Sequence, residues 1–162
     1  MRSWSVVSGL IEHEGALLLV ANQRRNGSID WSPPGGVIEQ GEHEVEALSR
    51  EVIEETGLAV VHWTGPVYEV VVDLGEMGGM MRVIVYRAAG HEGEFVFDDP
   101  DGIVFDAGFH LPDACRSYLE DAPHWVAEPL RDWLDAPWEE LRRYEYRVVR
   151  GTTLATLEVE RL

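Results

Sequence analysis

The sequence predicts a layered domain of the α/β or α+β type, on three observations. Short apolar runs of strand length recur along the chain between turns containing glycine or proline. Set among them is a helical stretch, His43 to Thr56, in which Val45, Leu48 and Val52 keep the i, i+3, i+7 spacing of a core-facing stripe. The chain has 162 residues, 45% of them apolar, enough for one domain with a sizeable core. No repeat, low-complexity tract or linker interrupts it, so 1–162 reads as a single domain.

The elements follow in order from local chemistry. Val6–Ile11 and Ala16–Val20 are apolar runs around Glu12-His13-Glu14-Gly15, which predicts a hairpin with glycine in its turn. Asn22 to Ser28 is a polar loop. Trp31-Ser32-Pro33-Pro34-Gly35-Gly36 is extended, because each proline keeps its predecessor out of helical dihedrals. Gly35 and Gly36 let the backbone approach a ligand closely. The helix that follows closes at Gly57, a position for a left-handed residue. Its start is less regular. His43 stands where Ser, Thr or Asp would cap best, while Glu42, Glu44 and Glu46 set negative charge against the helix dipole. Val67–Val72 and Met80–Tyr86 predict two strands around Gly75–Gly79, and Ile103–Phe109 a further strand after the acidic loop Glu92–Asp101. Pro112 and Pro129 are each placed to open a helix, the first reaching Leu119 and the second Leu134. From Tyr144 the tail alternates and turns near Arg150-Gly151, as a terminal hairpin would.

Charge narrows the function. A formal net charge of −17 repels a nucleic-acid polymer, whose binding depends on Lys and Arg neutralising phosphates. A small phosphate ester arriving with a divalent cation is compatible, since the metal supplies local positive charge. All 13 basic residues are arginine, which codon bias in a GC-rich genome explains more simply than a preference for guanidinium forks. There is no apolar run of membrane-spanning length, no signal-peptide pattern, and a lone Cys115 that cannot form an internal disulfide. These features predict a cytoplasmic protein with no membrane partner. The six histidines show no zinc-like spacing.

The chemistry concentrates on the helix. Glu51, Glu54 and Glu55 crowd one flank above small Ala47. Like charges so placed repel by a few tenths of a kcal/mol per exposed pair (about 0.2–0.5), so a fold that keeps them needs a cation between them. Glu51 and Glu55, one helical turn apart, can both reach one hard cation, and Glu54 can share a second. A merely solvated acidic face is the bland alternative, and the flanking residues weigh against it. They run Gly36, five residues, Glu42, seven residues, then Arg50-Glu51-Val52-x-Glu54-Glu55-x-Gly57-Leu58. This pattern resembles the signature box of the Nudix hydrolases, and the Pro33-Pro34-Gly35 lead-in resembles that family more loosely.

The resemblance implies an α/β fold, an α/β/α sandwich with a mixed central sheet. It implies hydrolysis of a diphosphate linkage in a nucleoside di- or triphosphate derivative, by water attack on phosphorus with Mg²⁺ or Mn²⁺ as Lewis acid. In that reading Glu51, Glu54 and Glu55 bind the metal, the carbonyl near Gly36 adds a ligand, and one carboxylate takes the proton from water. Arg50 orients a carboxylate, in a role as much structural as catalytic. Glu42 stands behind the ligands, and Val52, Gly57 and Leu58 are structural. A carboxylate from a later loop often completes such sites, which makes Asp98, Asp99 and Asp101 candidates, Asp99 also as a substrate contact. Arg24 and Arg25 are candidates to meet a terminal phosphate or a ribose, although a surface loop is the simpler account of the pair. Trp31 or Tyr68 can stack on a base, with core packing an equal account of each.

Subfamily markers argue against three relatives without selecting a fourth. The proline that ADP-ribose hydrolases carry would fall at Val72-Asp73-Leu74 and is absent. The tyrosine of dinucleoside polyphosphate hydrolases and the upstream motif of coenzyme A hydrolases are absent too. Two rivals stay open: an ADP-ribose or nucleotide-sugar hydrolase with altered markers, and a sensor module that binds a nucleotide without turnover. The intact carboxylates favour catalysis on a small nucleotide-like diphosphate, in a monomer or a homodimer.

Overall fold

The computed structural model describes residues 2–152 and 156–162. From the N-terminus come β1 (Ser3–Leu10), β2 (Glu12–His13), β3 (Ala16–Gln23), β4 (Ile29–Ser32) and β5 (Gly35–Val37). The helix α1 (Glu44–Thr56) leads to β6 (Ala59–Val60), β7 (Trp63–Asp73), β8 (Met80–Ala88) and β9 (His91–Glu92). Then follow β10 (Val104–His110), α2 (Pro112–Tyr118), α3 (His124–Asp135), β11 (Arg142–Arg150) and β12 (Glu158–Arg161).

The central sheet runs β12-β11-β7-β8-β1-β5. It is mixed: β1 with β8 and β11 with β7 are parallel, while the other neighbours are antiparallel. Side chains alternate across it as the pleat requires. On β8, Ile84 and Tyr86 join the core beneath α1 with Leu48 and Val52. Val85 points the other way, into a core closed by α3 through Leu130 and Trp133. Helices on both faces of a mixed sheet make this an α/β fold, an α/β/α sandwich. A second, antiparallel sheet of β10-β3-β2, with β4 on β3, leans against it. Among the described residues no helix is long and apolar enough to cross a membrane.

Three sequence expectations are corrected. The first hairpin is two residues deep, with Glu12 opposite Leu17 and His13 opposite Ala16. β1 does not return along β3, because it pairs with β8 and β5 in the central sheet, whereas β2 and β3 belong to the second sheet. Pro129 does not open its helix. α3 starts at His124 behind Pro123, and Pro129 lies inside it. Interior proline costs about 3 kcal/mol, but Trp125, Pro129, Leu130 and Trp133 form one buried stripe, and each large apolar side chain buried returns about 1.5–3 kcal/mol. Finally, His43 is a working cap: its Nδ1 accepts from the Val45 N–H at 3.3 Å, one of the donors that Ser or Asp would otherwise satisfy. Gly57 closes α1 in the left-handed region, as expected.

The tail forms the expected hairpin of β11 and β12, although residues 153–155 of its connection lie outside the described residues. It is tied to α3 by the Tyr144 hydroxyl donating to Asp132 at 2.8 Å and Tyr146 to Glu128 at 2.9 Å.

Candidate active site

The glycine pair sets the site's geometry. β5 lies antiparallel to β1, with Gly36 opposite Val7 and Gly35 opposite Ser8. A Cβ at Gly35 would strike the Val7 carbonyl, and one at Gly36 would lie 2.5 Å from the Glu51 carboxyl carbon. Neither residue has the positive φ that would itself demand glycine, so close approach is the requirement. α1 can thus lay its carboxylates directly on the backbone of β5, where the Gly35 N–H donates to Glu55 Oε1 at 2.9 Å.

Arg50 gathers the remaining acids. Its Nε donates to Glu42 at 2.7 Å and its Nη2 to the other Glu42 oxygen at 3.0 Å. Its Nη1 donates to Glu51 and to Glu54, each at 3.1 Å, and Glu39 lies 3.9 Å away. The Glu42 bonds, more than the Glu51, Glu42 and Glu54 charges, hold the guanidinium firmly protonated. One positive charge faces four carboxylates here, which leaves a net negative site.

The buried acids feel this most. Glu51 is 8% exposed and Glu55 5%. Burial pushes the Glu51 carboxyl up to about 7, against the lowering pull of Arg50. Burial also pushes Glu55 up to about 8, helped by the charges of Glu51, Asp99 and Glu54 and opposed by the Gly35 N–H. A divalent cation would reverse both shifts, and the donor set suits one. Oxygens of Glu51, Glu54 and Asp101 lie within 4.8 Å of one another, an all-carboxylate group of the kind hard cations take.

Asp101 arrives on the loop before β10, and Asp99 shapes that loop. Its Oδ1 accepts from the Asp101 N–H at 3.2 Å, and its Oδ2 from the N–H groups of Ile103 at 3.1 Å and Val104 at 2.9 Å. Asp98 is exposed and lies apart from the site. The carboxylates open into a cavity of about 640 Å³. Glu51, Glu55, Gly36, Asp99 and Asp101 line one part of it, and Tyr68, Val70, Val83, Val85 and Trp125 another.

Of the residues singled out from sequence, the fold brings Glu51, Glu55, Gly36, Asp99, Asp101, Arg24 and Tyr68 to this cavity. Glu54 and Arg50 stand immediately behind. Arg25 is exposed and does not line it. Trp31 turns away, packing on Tyr118 at 4.6 Å and edge-on to His110 at 5.6 Å. Sequence reasoning missed Asn22, buried in what read as a polar loop, and its buried partner Asp30, which lies just beyond that loop on β4. It also missed Trp125, because the start of α3 was placed too late. The unbroken apolar run from Ala16 to Ala21, leading straight into Asn22, was the signal that could have recovered it as part of a buried strand.

Comparison with known proteins agrees with this geometry. The NUDIX domain model matches residues 1–133. An oxidized purine nucleoside triphosphate hydrolase from Danio rerio is 35% identical over 88 residues, covering 52% of this chain and 54% of that protein, so the match spans about half of the relative's length. Among solved structures, a NUDIX hydrolase from Nitrosomonas europaea superimposes with a TM-score of 0.70 at 22% identity, over 84% of this chain and 91% of the other. A MutT protein from Bacillus halodurans gives 0.66 at 20% identity, over 97% of both. The signature carboxylates on α1, the fold around them and the extent of the domain match together place this chain in the Nudix hydrolase family.

Proposed function

We propose that the chain hydrolyses a diphosphate linkage in a nucleoside di- or triphosphate derivative, with Mg²⁺ or Mn²⁺ held by Glu51, Glu54 and Asp101 and by the carbonyl of Gly36. The observation that carries this reading is the convergence of five acids, Glu39, Glu51, Glu55, Asp99 and Asp101, on a cavity whose other walls are largely apolar. When bound, the metal supplies Lewis acidity toward the phosphate oxygens. Glu55 is the residue best placed to take a proton from water. It is buried and accepts a hydrogen bond from the Gly35 N–H, with no hydrogen bond or ion pair to Arg50 among the described residues, so Arg50 does not hold its charge as it holds that of Glu51 and Glu54. Arg50 keeps Glu51 and Glu54 in place while they are ionised. Arg24 is the residue of the arginine pair that faces the substrate. A free, buried Cys115 accords with a reducing cytoplasm.

The name of the Danio rerio relative supports a nucleoside triphosphate as substrate. ADP-ribose or a nucleotide sugar is the alternative, and a sensor without turnover the other. Formation of nucleoside mono- or diphosphate from a panel of nucleoside triphosphates, ADP-ribose and nucleotide sugars, followed chromatographically with Mg²⁺ present, separates the three. Turnover of a triphosphate that is lost in Glu51→Gln supports the proposal. Binding without turnover across the panel overturns it in favour of the sensor.

A further inference from the structure

The rim of the cavity carries a polar edge that the hydrolytic chemistry does not use. Asn22, at the end of β3, lines the cavity yet is only 7% exposed. Its Nδ2 donates to Ser32 Oγ at 2.9 Å and Asp30 Oδ1 at 3.2 Å, with the Asp30 carbonyl at 3.4 Å. Both amide protons are therefore consumed by the protein. A flipped amide would set Oδ1 against two Asp30 oxygens that cannot donate, so the orientation is fixed. Oδ1 is left with no partner among the described residues and is not one of the buried, unpartnered atoms, so it opens to the cavity that Asn22 lines.

Arg24, two residues on, is held by the same acid. Its Nε and Nη2 donate to the two Asp30 carboxylate oxygens at 2.6 and 2.8 Å, which leaves Nη1 without a partner among the described residues. Asp30 itself is 8% exposed and does not line the cavity. One buried carboxylate thus fixes a hydrogen-bond acceptor and a cationic donor side by side on the rim. Beyond them lie the apolar walls of Val70, Met81, Val83, Val85 and Trp125.

We propose that Asn22 Oδ1 and Arg24 Nη1, positioned by Asp30, read the edge of a flat heterocycle that presents a donor beside an acceptor. This deepens the hydrolase reading and rests on it, since the diphosphate must lie at the acidic part of the same cavity. An apolar slab with one polar edge suits a nucleobase. A ribose, carrying hydroxyls on every side, would leave the apolar walls in contact with polar groups.

The test measures binding rather than turnover. With Mg²⁺ present, the affinities of four nucleoside monophosphates and of ribose 5-phosphate are compared by calorimetric titration. In the native chain at least one monophosphate should bind about tenfold more tightly than ribose 5-phosphate, and Asn22→Ala should erase that excess while leaving ribose 5-phosphate unchanged. Arg24→Ala, which alters an exposed side chain, should reduce the same excess and carries the test should Asn22→Ala not fold. An excess that survives both substitutions overturns the proposal, as does a native chain with no excess. A parallel loss of ribose 5-phosphate binding overturns it too, because the edge would then be reading the sugar or phosphate. Hydrolysis of the corresponding nucleoside triphosphates, read as the nucleotide product formed, separates the two readings. Turnover without base preference sinks the edge alone, and an Asn22-dependent preference without turnover on any nucleotide sinks the hydrolase alone.

Discussion

Without metal, Glu55→Gln should make the protein more stable, and the gain should grow with pH. Burial pushes the Glu55 carboxyl from an ordinary 4.5 up to about 8 in the folded chain. A group whose folded value is raised stabilises fully below its unfolded value, and that stability is lost as pH rises through the folded one. The window is therefore pH 4.5 to 8. At about 1.4 kcal/mol per unit, the native chain loses up to roughly 4 kcal/mol between pH 5 and pH 9 through this residue alone. Water entering the cavity trims the figure to about 2–4 kcal/mol. Glutamine escapes the loss because it stays neutral, and its amide oxygen can still accept from the Gly35 N–H. The assay is urea unfolding of both proteins in chelator at matched ionic strength. The general effect of the other acidic residues is common to both and cancels. A small difference at pH 5 that widens by about 2–4 kcal/mol at pH 9 is expected. A difference independent of pH, or a variant less stable at pH 9, would refute the reasoning. Mg²⁺ should then favour the native chain, by about 2.7 kcal/mol at a hundredfold excess over its dissociation constant. The gain should exceed that in NaCl and vanish in Glu51→Gln combined with Glu55→Gln.

Further expectations follow from the same geometry. Glu51→Gln and Glu55→Gln should each lower turnover by at least about 10²-fold, and near-normal rates in both would remove them from the machinery. Activity should disappear in chelator and return with Mg²⁺ or Mn²⁺, as oxygen ligands require; full activity in metal-free buffer would end the metal reading. Asp101→Asn should cut turnover far more than Asp98→Asn. Asp99→Asn should mainly loosen the loop, seen as a lower melting temperature, because its oxygens hold three N–H groups. Three equally mild variants would make this loop plain surface. Arg50→Lys should lower turnover while leaving the melting temperature nearly unchanged, since an ammonium cannot span Glu42, Glu51 and Glu54 at once.

The acidic part of the cavity was legible because its geometry is local. One helix supplies Arg50, Glu51, Glu54 and Glu55, and residue spacing fixes their arc. Gly36 was legible for a related reason: its lack of a side chain admits Glu51, and a glycine shows in sequence where a contact does not. The sheet's strands were legible from apolar runs, but which run joins which sheet was not. β1 and β3 look alike in sequence, yet one pairs into the central sheet and the other into the second. Pro129 misled because proline at a helix start and proline tolerated inside a buried stripe differ only in what packs against them.

The substrate half was illegible for a physical reason that also explains why subfamily markers gave so little. Its walls include valines from β7 and β8, and a cavity-facing Val83 is chemically the same as a core-facing Val72. What separates them is a volume left unfilled, and a volume has no sequence signature. The polar rim is hidden by the opposite effect. Asn22 and Arg24 read as a solvated loop because composition there is polar, whereas their hydrogen bonds to Asp30 allow Asn22 and Asp30 to be buried. Metal-site carboxylates must keep fixed spacing within one element, so selection on hydrolysis writes a motif. Recognition of the remaining substrate needs only a few groups on different strands to face one space, so it can change residue by residue while the motif stays intact.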